Sequence, residues 1–429
     1  MDSETNIRTG LLQPWRTSPA KIVVLSTFGT GLGLNTVPVA TFGAFVLPLS
    51  QEFGWSRGNI AFAITIFQIC NILVAPIAGW LIDRVGARRV LLPSILLFGA
   101  ALMSLSLMSG AIWQLYAGYS IVSIFGIGTA SPTYAKLIVS WFKERRALAL
   151  GFALTGVGIG MSVLPILVQS VIDGWGWRPA FVTVGLVVIA GTFPATMLWA
   201  WDSPTAPATR RETSAPAAAT DASFAHAARS KAFFLLLAGF VLLGAVSGSL
   251  TSHMIPILAE RGIEPSHGAV LAAALGVAGI FGRVIVGYLL DRIFAPALLV
   301  FLIVSAFAGM LLLIHQQGAW LLLGIVILGF TTGGEGDFMP YLTSRYIGMR
   351  AFSRVLGFLY SSFVAGIGLG TVLMGYSENT TGSYGMALNV LAAIILAAVI
   401  PFLFLGRYPS DPGEEVARTP DRTATPAAL

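Results

Sequence analysis

Charged side chains are scarce in this chain. Only 10% of its 429 residues are Asp, Glu, Lys or Arg, and 56% are hydrophobic, whereas a soluble domain carries roughly 25% charged residues. The composition therefore excludes an ordinary soluble protein. Apolar runs of about 20 residues follow one another along the sequence, and each is long enough to cross a bilayer as a helix. We predict an all-α membrane protein.

Cysteine and the motifs of enzymes are nearly absent as well. Cys70 is the only cysteine, so no internal disulfide can form. The sequence holds no HExxH motif, no glycine-rich phosphate loop and no Cys/His cluster. We therefore expect neither an enzyme nor a bound metal or cofactor. The first residues also lack the basic start and short apolar core of a cleaved signal peptide.

Hydropathy predicts twelve transmembrane helices, which we number as spans 1 to 12 in chain order. With an even number of spans, both termini lie on the same side of the membrane. The spans cover about 22–49, 58–82, 90–109, 112–140, 146–172, 178–201, 232–259, 267–290, 295–315, 319–346, 352–376 and 382–406.

The two halves of the sequence resemble each other at a shift of 208 residues. A repeat of this length in an apolar chain predicts two related bundles of six helices. We therefore predict a segment 1–20, a first bundle 21–201, a linker 202–230, a second bundle 231–407 and a tail 408–429. The repeated residues are Pro48, Glu52 and Gly54 with Pro256, Glu260 and Gly262, then Gly79, Asp83 and Arg84 with Gly287, Asp291 and Arg292, and Pro132 with Pro340.

Basic residues concentrate on one side of this topology. With both termini in the cytoplasm, 20 of the 25 Lys and Arg residues fall in inside segments and three in outside loops. The positive-inside rule therefore predicts cytoplasmic termini in a plasma membrane, the inner membrane of a bacterium. This distribution also argues against nucleic acid as a partner, despite the net charge of +6. Lys136, near the inner end of span 4, can snorkel towards water.

The linker and the tail are poor in residues that could form a core. The linker contains the run SPTAPATRRETSAPAAATDAS, which is dominated by Ala, Pro, Ser and Thr. We expect both segments to be flexible and cytoplasmic.

The loop between spans 2 and 3 reads Gly79-Trp-Leu-Ile-Asp83-Arg84-Val-Gly86-Ala-Arg88-Arg89, and a shorter copy, Gly287-Tyr-Leu-Leu-Asp291-Arg292, lies between spans 8 and 9. The loop closely resembles the signature loop of the major facilitator superfamily. The resemblance covers about residues 20–407 and implies the major facilitator fold, with two six-helix bundles. In that superfamily the loop aspartate bonds near the start of a helix in the other half when the inside is closed. The resemblance thus implies gating roles for Gly79, Asp83, Arg84, Arg88, Asp291 and Arg292.

Four further features are FGAFVLPLSQEFGWSR (42–57), WFKERRALALGFALTG (141–156), Arg283 with Gly287, and GGEGDFMPYLTSRYIG (333–348). In these features the chain resembles, within that superfamily, the monocarboxylate transporters and the related oxalate/formate antiporters. Three features depart from these families. Span 1 lacks the lysine of the animal transporters, and Gly279 stands where they carry an aspartate. No Lys or Arg lies between Arg354 and Arg407, where oxalate exchangers carry a second cation, which argues against a dicarboxylate.

Arg283 is the one basic residue left deep in an apolar span, where a charge is costly and a function is the default explanation. It lies eight residues, or roughly 12 Å, from Asp291 at the inner end of span 8. Its planar guanidinium matches a carboxylate with paired donors. We therefore predict that Arg283 binds the substrate. The alternative is a structural ion pair with acids of span 10.

Glu335 and Asp337 are the only acids predicted at depth, both in span 10. A carboxylate in a low-dielectric site can carry a proton, so both are candidates for proton coupling, with Glu335 slightly favoured. Positions i and i+2 point to different sides of a helix, so at most one should face a cavity. Here too the alternative is a static pair with Arg283.

Polar side chains in other spans could orient a substrate. His253 in span 7 could donate to a carboxylate or pass a proton, and Asn35 and Asn71 could supply hydrogen bonds in the first half. All three could instead serve helix packing.

These residues predict a proton-coupled symporter of a small organic monocarboxylate, working by alternating access. One buried cation suits one carboxylate, and one buried acid can supply the proton. We expect the partners to be a carboxylate, a proton and the lipid bilayer, and the protein to be monomeric. The alternatives are an organic-anion exchanger or a drug-type efflux transporter. A membrane enzyme or receptor has little support in the sequence.

Overall fold

The computed structural model describes residues 18–142, 145–201, 217–349 and 351–408. Within these ranges all the longer elements are α-helices, joined by short turns that include 3₁₀ turns at Leu105–Leu107 and Ile127–Thr129. The first half holds α1 (Pro19–Gly31), α2 (Val37–Phe53), α3 (Arg57–Val85), α4 (Ala87–Ser104), α5 (Ile112–Gly126), α6 (Ser131–Trp141), α7 (Arg146–Trp175) and α8 (Trp177–Trp199). Then follow α9 (Ala217–Ala228), α10 (Lys231–Glu260), α11 (Pro265–Leu290), α12 (Ala295–His315), α13 (Gly318–Tyr346), α14 (Phe352–Thr381) and α15 (Gly385–Leu403).

Eleven helical segments of the described residues are long and apolar enough to cross a membrane, and they correspond to predicted spans 2 to 12. Span 1 differs, because the prediction of one continuous helix over 22–49 is wrong. The structure has two shorter helices, α1 and α2, separated by residues 32–36. Hydropathy reports the side chains alone and does not detect this break in the backbone.

The break in span 1 lies against a second break, in span 4. There α5 ends in the 3₁₀ turn Ile127–Thr129, and α6 starts at Ser131. The backbone N–H of Leu34 donates to Thr129 Oγ1 (3.1 Å), and that of Ser131 donates to Asn35 Oδ1 (2.8 Å). Unwound backbone inside a membrane must find such partners within the protein. The two interrupted spans therefore support each other.

The helices pack into two groups, which we call the N-terminal half (19–199) and the C-terminal half (231–403). In the N-terminal half α4 packs on α8 and α1 on α7, and in the C-terminal half α10 packs on α14 and α11 on α13. The halves meet where α3 crosses α14 and where α7 crosses α11. These two crossings are the main contacts between the halves.

The two ends of the molecule differ in how they are joined. We call the end at Pro19, Val85 and Leu403 the termini end, and the end at Phe53 and Glu260 the far end. Among the described residues, the hydrogen bonds at the far end join helices of the same half. Glu260, for example, accepts a hydrogen bond from the backbone N–H of Tyr384 (2.8 Å), which joins α10 to the start of α15.

Glu52 makes the matching contact in the N-terminal half. It accepts hydrogen bonds from the Trp177 indole and from Arg178 Nη1 (2.6 Å), which join α2 to α8. These hydrogen bonds hold the pKa of Glu52 below its ordinary value, and the bond from Trp177 contributes most. Two repeat-related glutamates thus join helices within their own half at the far end.

Part of the linker predicted as flexible is instead the helix α9. Alanine is the strongest helix former, and α9 is rich in it. Its Phe224 ring stacks on Phe358 (5.6 Å between centroids) and lies under the Arg354 guanidinium (3.7 Å), both on α14. The rest of the linker, 202–216, and most of the segments 1–20 and 408–429 lie outside the described residues.

Candidate functional site

The crossing of α11 and α13 determines where Arg283 lies. Gly279 and Gly333 let the two backbones touch, since a Cβ added at Gly333 would lie 2.0 Å from the Gly279 carbonyl oxygen. Any side chain at this point would force the helices apart. The close crossing brings α11, which carries Arg283, beside the stretch of α13 that carries Glu335 and Asp337.

Arg283 is half-buried and reaches towards the other half of the molecule. Its Nη1 donates to the carbonyl oxygen of Leu154 in α7 (2.9 Å). Among the described residues Arg283 makes no ion pair, so the static pair with span-10 acids is not formed in this structure. A guanidinium has five N–H donors, and one hydrogen bond leaves most of them for a ligand.

Asp337 and Glu335 point to different sides of α13, as the i, i+2 spacing predicts. Asp337 is fully buried beside Arg283, and neither of its oxygens has a hydrogen-bond partner among the described residues. Glu335 interacts with the Ser247 hydroxyl of α10 and lines a small, mostly apolar pocket inside the C-terminal half. Asp337 is therefore the acid at the contact between the halves.

Gly151 of α7 makes room for this acid. A Cβ added there would lie 2.7 Å from the Arg283 carbonyl oxygen and 3.4 Å from Asp337 Oδ2. The backbones of α7 and α11 could not approach so closely with a larger residue. Asp337 thus lies where three helices meet, two from the C-terminal half and one from the N-terminal half.

Asn35 makes another contact between the halves, with Tyr360 of α14. Its Oδ1 accepts from the Ser131 N–H (2.8 Å), and its Nδ2 donates to the Tyr360 hydroxyl oxygen of α14. One residue further along α14, Ser361 Oγ donates to the Ile72 carbonyl oxygen of α3 (2.7 Å). The sequence predicted Asn35 but missed Tyr360, because the contact joins positions 325 residues apart.

Among the described residues, neither Asn71 nor His253 is hydrogen-bonded to Arg283, Asp337 or Tyr360. Asn71 is buried on α3 at the crossing with α14, and its Oδ1 has no partner among the described residues. His253 lies seven residues from the far end of α10, with its ring 5.8 Å from that of Tyr384. The structure therefore places His253 near the far end of the C-terminal half and away from Arg283.

Two repeat-related aspartates join the halves at the termini end. Asp83 accepts hydrogen bonds from the backbone N–H groups of Ser353 (3.1 Å) and Arg354 (2.8 Å), at the start of α14. A negative charge is favoured at a helix N-terminus. Gly79 permits the approach, because a Cβ there would lie 2.1 Å from the Ser353 carbonyl oxygen.

Asp291 makes the reciprocal contact. It accepts from the N–H groups of Ala147 (3.0 Å) and Leu148 (3.0 Å), at the start of α7. The hydrogen bonds described between the halves run from this end up to the level of Asn35 and Leu154. The molecule is therefore closed at the termini end.

Lys136 is a part of this closure that sequence reasoning did not identify. Its Nζ pairs with Asp83 (3.0 Å) and donates to the Met349 carbonyl oxygen of the other half (3.2 Å). The sequence predicts that a basic residue near the end of an apolar span snorkels to water. The side chain is instead largely buried between the halves.

The predicted gating arginines lie on aromatic rings. Arg84 stacks on Trp80 (4.2 Å), and Arg292 stacks on Tyr288 (4.1 Å). Arg88 lies over the Trp201 ring (3.6 Å) and donates to a carbonyl oxygen of its own half. Such cation–π contacts keep a charged group at the edge of an apolar bundle.

The architecture defines a class of protein. Membrane-spanning helices in two repeat-related halves, with interrupted spans and buried charges where the halves meet, are the arrangement of a secondary transporter. The chain belongs to the Major Facilitator Superfamily, whose family model matches residues 22–353. It is a transporter of that superfamily that resembles the monocarboxylate transporter branch.

The similarity to curated relatives extends over most of the chain. Monocarboxylate transporter 13 of Rattus norvegicus is 25% identical over 420 residues, which cover 93% of this chain and 94% of that protein. Monocarboxylate transporter 11 of Homo sapiens is 24% identical over 393 residues, covering 87% and 80%. Both family and relatives are transporters, which agrees with the absence of enzyme motifs.

Among solved structures, the fucose:proton symporter of E. coli shares the fold. The TM-score is 0.67 at 16% sequence identity, and the match covers 90% of this chain and 98% of that one. At this identity the similarity concerns the fold alone.

Proposed function

We propose that this protein is a proton-coupled symporter of a small organic monocarboxylate. The observation that carries the proposal is the arrangement at Arg283: a half-buried guanidinium without an ion pair among the described residues, beside a buried carboxylate without a hydrogen-bond partner. This pairs a binding site for an anion with a site for a proton. The relatives named monocarboxylate transporters support this substrate class.

Arg283 binds the substrate carboxylate in this mechanism. The anion must leave water to cross the membrane, and charge-assisted paired hydrogen bonds to a guanidinium replace its hydration. The Leu154 contact ties the Arg283 side chain to α7 of the other half. A bound carboxylate would compete for these donors and thereby affect the contact between the halves.

Asp337 carries the proton, with Glu335 as the second candidate. An ionised carboxylate without partners is costly in an apolar interior, and the group instead takes up a proton. A charged Asp337 would be stabilised by Arg283 when the substrate is absent. Substrate and proton therefore enter together, and their joint movement carries no net charge.

Alternating access follows from movement of two six-helix bundles, 21–201 and 231–407. In this proposal α1 with α2 forms span 1, which completes the set of twelve, and the termini end faces the cytoplasm by the positive-inside rule. Asp83 and Asp291, with Gly79, Arg84, Arg88 and Arg292 around them, form the cytoplasmic gate. The protein acts as a monomer in the plasma membrane, the inner membrane of a bacterium.

The test is uptake by the purified protein in liposomes. A panel of labelled monocarboxylates is offered with and without an imposed pH gradient, acidic outside. We expect accumulation that requires the gradient and is unaffected by membrane potential. Accumulation that instead requires substrate on the opposite side would identify an exchanger, and export of apolar compounds without carboxylate uptake would identify an efflux transporter.

A further inference from the structure

Each aspartate at the termini end is followed by an exposed arginine. Asp83 and Asp291 accept hydrogen bonds from the opposite half. The residues that follow them, Arg84 and Arg292, are exposed and lie over aromatic rings of their own helices. Consecutive residues of a helical turn point about 100° apart. Each arginine therefore faces a different side of its helix from the aspartate that joins the halves.

An exposed apolar stripe leads along the helix to each arginine. On α11 it consists of Phe281, Ile285 and Tyr288, at positions i, i+4 and i+7, which are 61%, 44% and 43% exposed. Residues at this spacing share one face of a helix. Arg292 follows four residues after Tyr288, and its guanidinium carbon lies 4.1 Å from the centre of the tyrosine ring. The stripe thus runs along α11 to the termini end and finishes with an aromatic ring and a guanidinium.

The N-terminal half carries the same stripe at the shift of 208 residues. The corresponding residues of α3 are Leu73, Ile77, Trp80 and Arg84. Leu73 and Ile77 are 65% and 60% exposed. The guanidinium carbon of Arg84 lies 4.2 Å from the centre of the Trp80 ring. Both halves therefore present two apolar side chains, an aromatic ring and an arginine in the same order towards the termini end.

The position of the stripes in the molecule indicates what covers them. The halves are in contact from the termini end to the levels of Ile72 and Leu154, so side chains exposed here face the membrane. Aromatic rings are enriched at the level of the lipid head groups, and an arginine just beyond such a ring reaches the lipid phosphates. Its planar fork of donors matches a phosphate. Among the described residues Arg292 makes no ion pair and no side-chain hydrogen bond, so its donors are available to this ligand.

We propose that each stripe binds one anionic phospholipid of the leaflet at the termini end. Arg292 or Arg84 holds the phosphate, and the apolar residues of the stripe pack against an acyl chain. An anionic head group is preferred to a zwitterionic one, because the ammonium group of the latter is repelled by the arginine. A basic residue near anionic lipid contributes about fivefold in affinity. This role is additional to the gate, and it does not depend on which substrate the protein carries.

The experiment counts the lipids bound to the detergent-purified protein by native mass spectrometry. Palmitoyl-oleoyl phosphatidylglycerol and palmitoyl-oleoyl phosphatidylcholine, which share their acyl chains, are offered in equal amounts. We expect wild type to retain phosphatidylglycerol preferentially. Arg292→Gln and Arg84→Gln should each lower the affinity of one site about fivefold, and the double variant should lose the preference. Arg229→Gln with Arg407→Gln removes the same charge from exposed positions at the same end, and this matched control should keep the preference.

Arg292→Lys separates the charge of the side chain from a structural role, because lysine also binds phosphate, as a point charge. This variant should keep most of the preference, and a loss as large as that in Arg292→Gln would overturn the inference. A double variant that still prefers phosphatidylglycerol, or a wild type without a preference, would overturn it as well. Displacement of the lipid by glycerol 3-phosphate alone would identify a site for soluble phosphates and reject the lipid.

Discussion

At the scale of single residues, the proposal depends on the shape of the cation at position 283. Arg283→Lys keeps the charge but replaces a planar fork of donors with one compact ammonium group. The variant cannot bind a carboxylate with two parallel hydrogen bonds, so we expect its uptake to fall about 100-fold or more, to background. The purified variant should elute from a size-exclusion column as the wild type does, which shows that it folds. Arg407→Lys, at an exposed position, is the control. Wild-type uptake in Arg283→Lys would reject the paired binding.

The two acids of α13 can be separated by the kind of transport that each variant loses. Asp337→Asn cannot release a proton, so we expect it to exchange labelled for unlabelled substrate but not to accumulate substrate along a pH gradient. Glu335→Gln should keep both activities, because Glu335 points into the C-terminal half at Ser247. Two assays are compared for each variant: counterflow, which measures exchange, and uptake driven by a pH gradient, which measures proton-coupled accumulation. The reverse pattern would assign the proton to Glu335, and full coupling in both variants would exclude both acids.

Between helices, the fit of α7 against α11 depends on the absence of one methyl group. In Gly151→Ala the new Cβ would meet the Arg283 carbonyl oxygen at 2.7 Å, and a backbone atom cannot move aside cheaply. Overpacking of this kind costs about 1–3 kcal/mol, so we expect a lower thermal midpoint and weaker transport. Gly158→Ala is the matched control on the same helix, because its Cβ would meet Ile280 at an ordinary 3.5 Å. Equal effects in the two variants would contradict this interpretation.

The helices differ in how far the sequence predicts them. Apolar length alone located spans 2 to 12, because a bilayer imposes that length on any helix. Hydropathy does not predict the break before α2, because it does not register the hydrogen bonds that stabilise it, from Leu34 N–H to Thr129 and from Ser131 N–H to Asn35. The linker helix α9 escaped for a different reason. Its alanines are also typical of a flexible linker, and its aromatic contact, Phe358, is far away in sequence.

The candidate site divides in the same way. Arg283, Glu335 and Asp337 could be predicted because an ionisable residue in an apolar span is rare and needs an explanation. Tyr360 could not, because a tyrosine in a membrane helix is unremarkable until its hydroxyl is seen beside Asn35. A single sequence reveals ionisable residues whose burial in a membrane costs free energy. Contacts between common residues that are distant in sequence are seen only in the structure.

For the whole molecule, we expect the termini end to open and the far end to close when the hydrogen bonds between the halves at the termini end are weakened. Asp83→Asn with Asp291→Asn removes the negative charge from both helix N-termini. Hydrogen bonds to charged groups contribute about 1.5–3 kcal/mol each, so we expect the population to shift towards a state open at the termini end. Asp83→Asn alone should act more strongly than Asp291→Asn alone, because it also leaves Lys136 buried without its partner.

Distances between paired spin labels would measure this shift. The single cysteine makes the background simple, since Cys70→Ser alone removes native labelling. One label pair, Val85→Cys with Ile293→Cys, spans the halves at the termini end, and another, Trp175→Cys with Glu264→Cys, spans them at the far end. Rocking of rigid halves predicts that the double variant lengthens the first distance and shortens the second, whereas Asp173→Asn, exposed at the far end, changes neither. If both distances lengthen together, the aspartates hold the fold together rather than set its direction of opening.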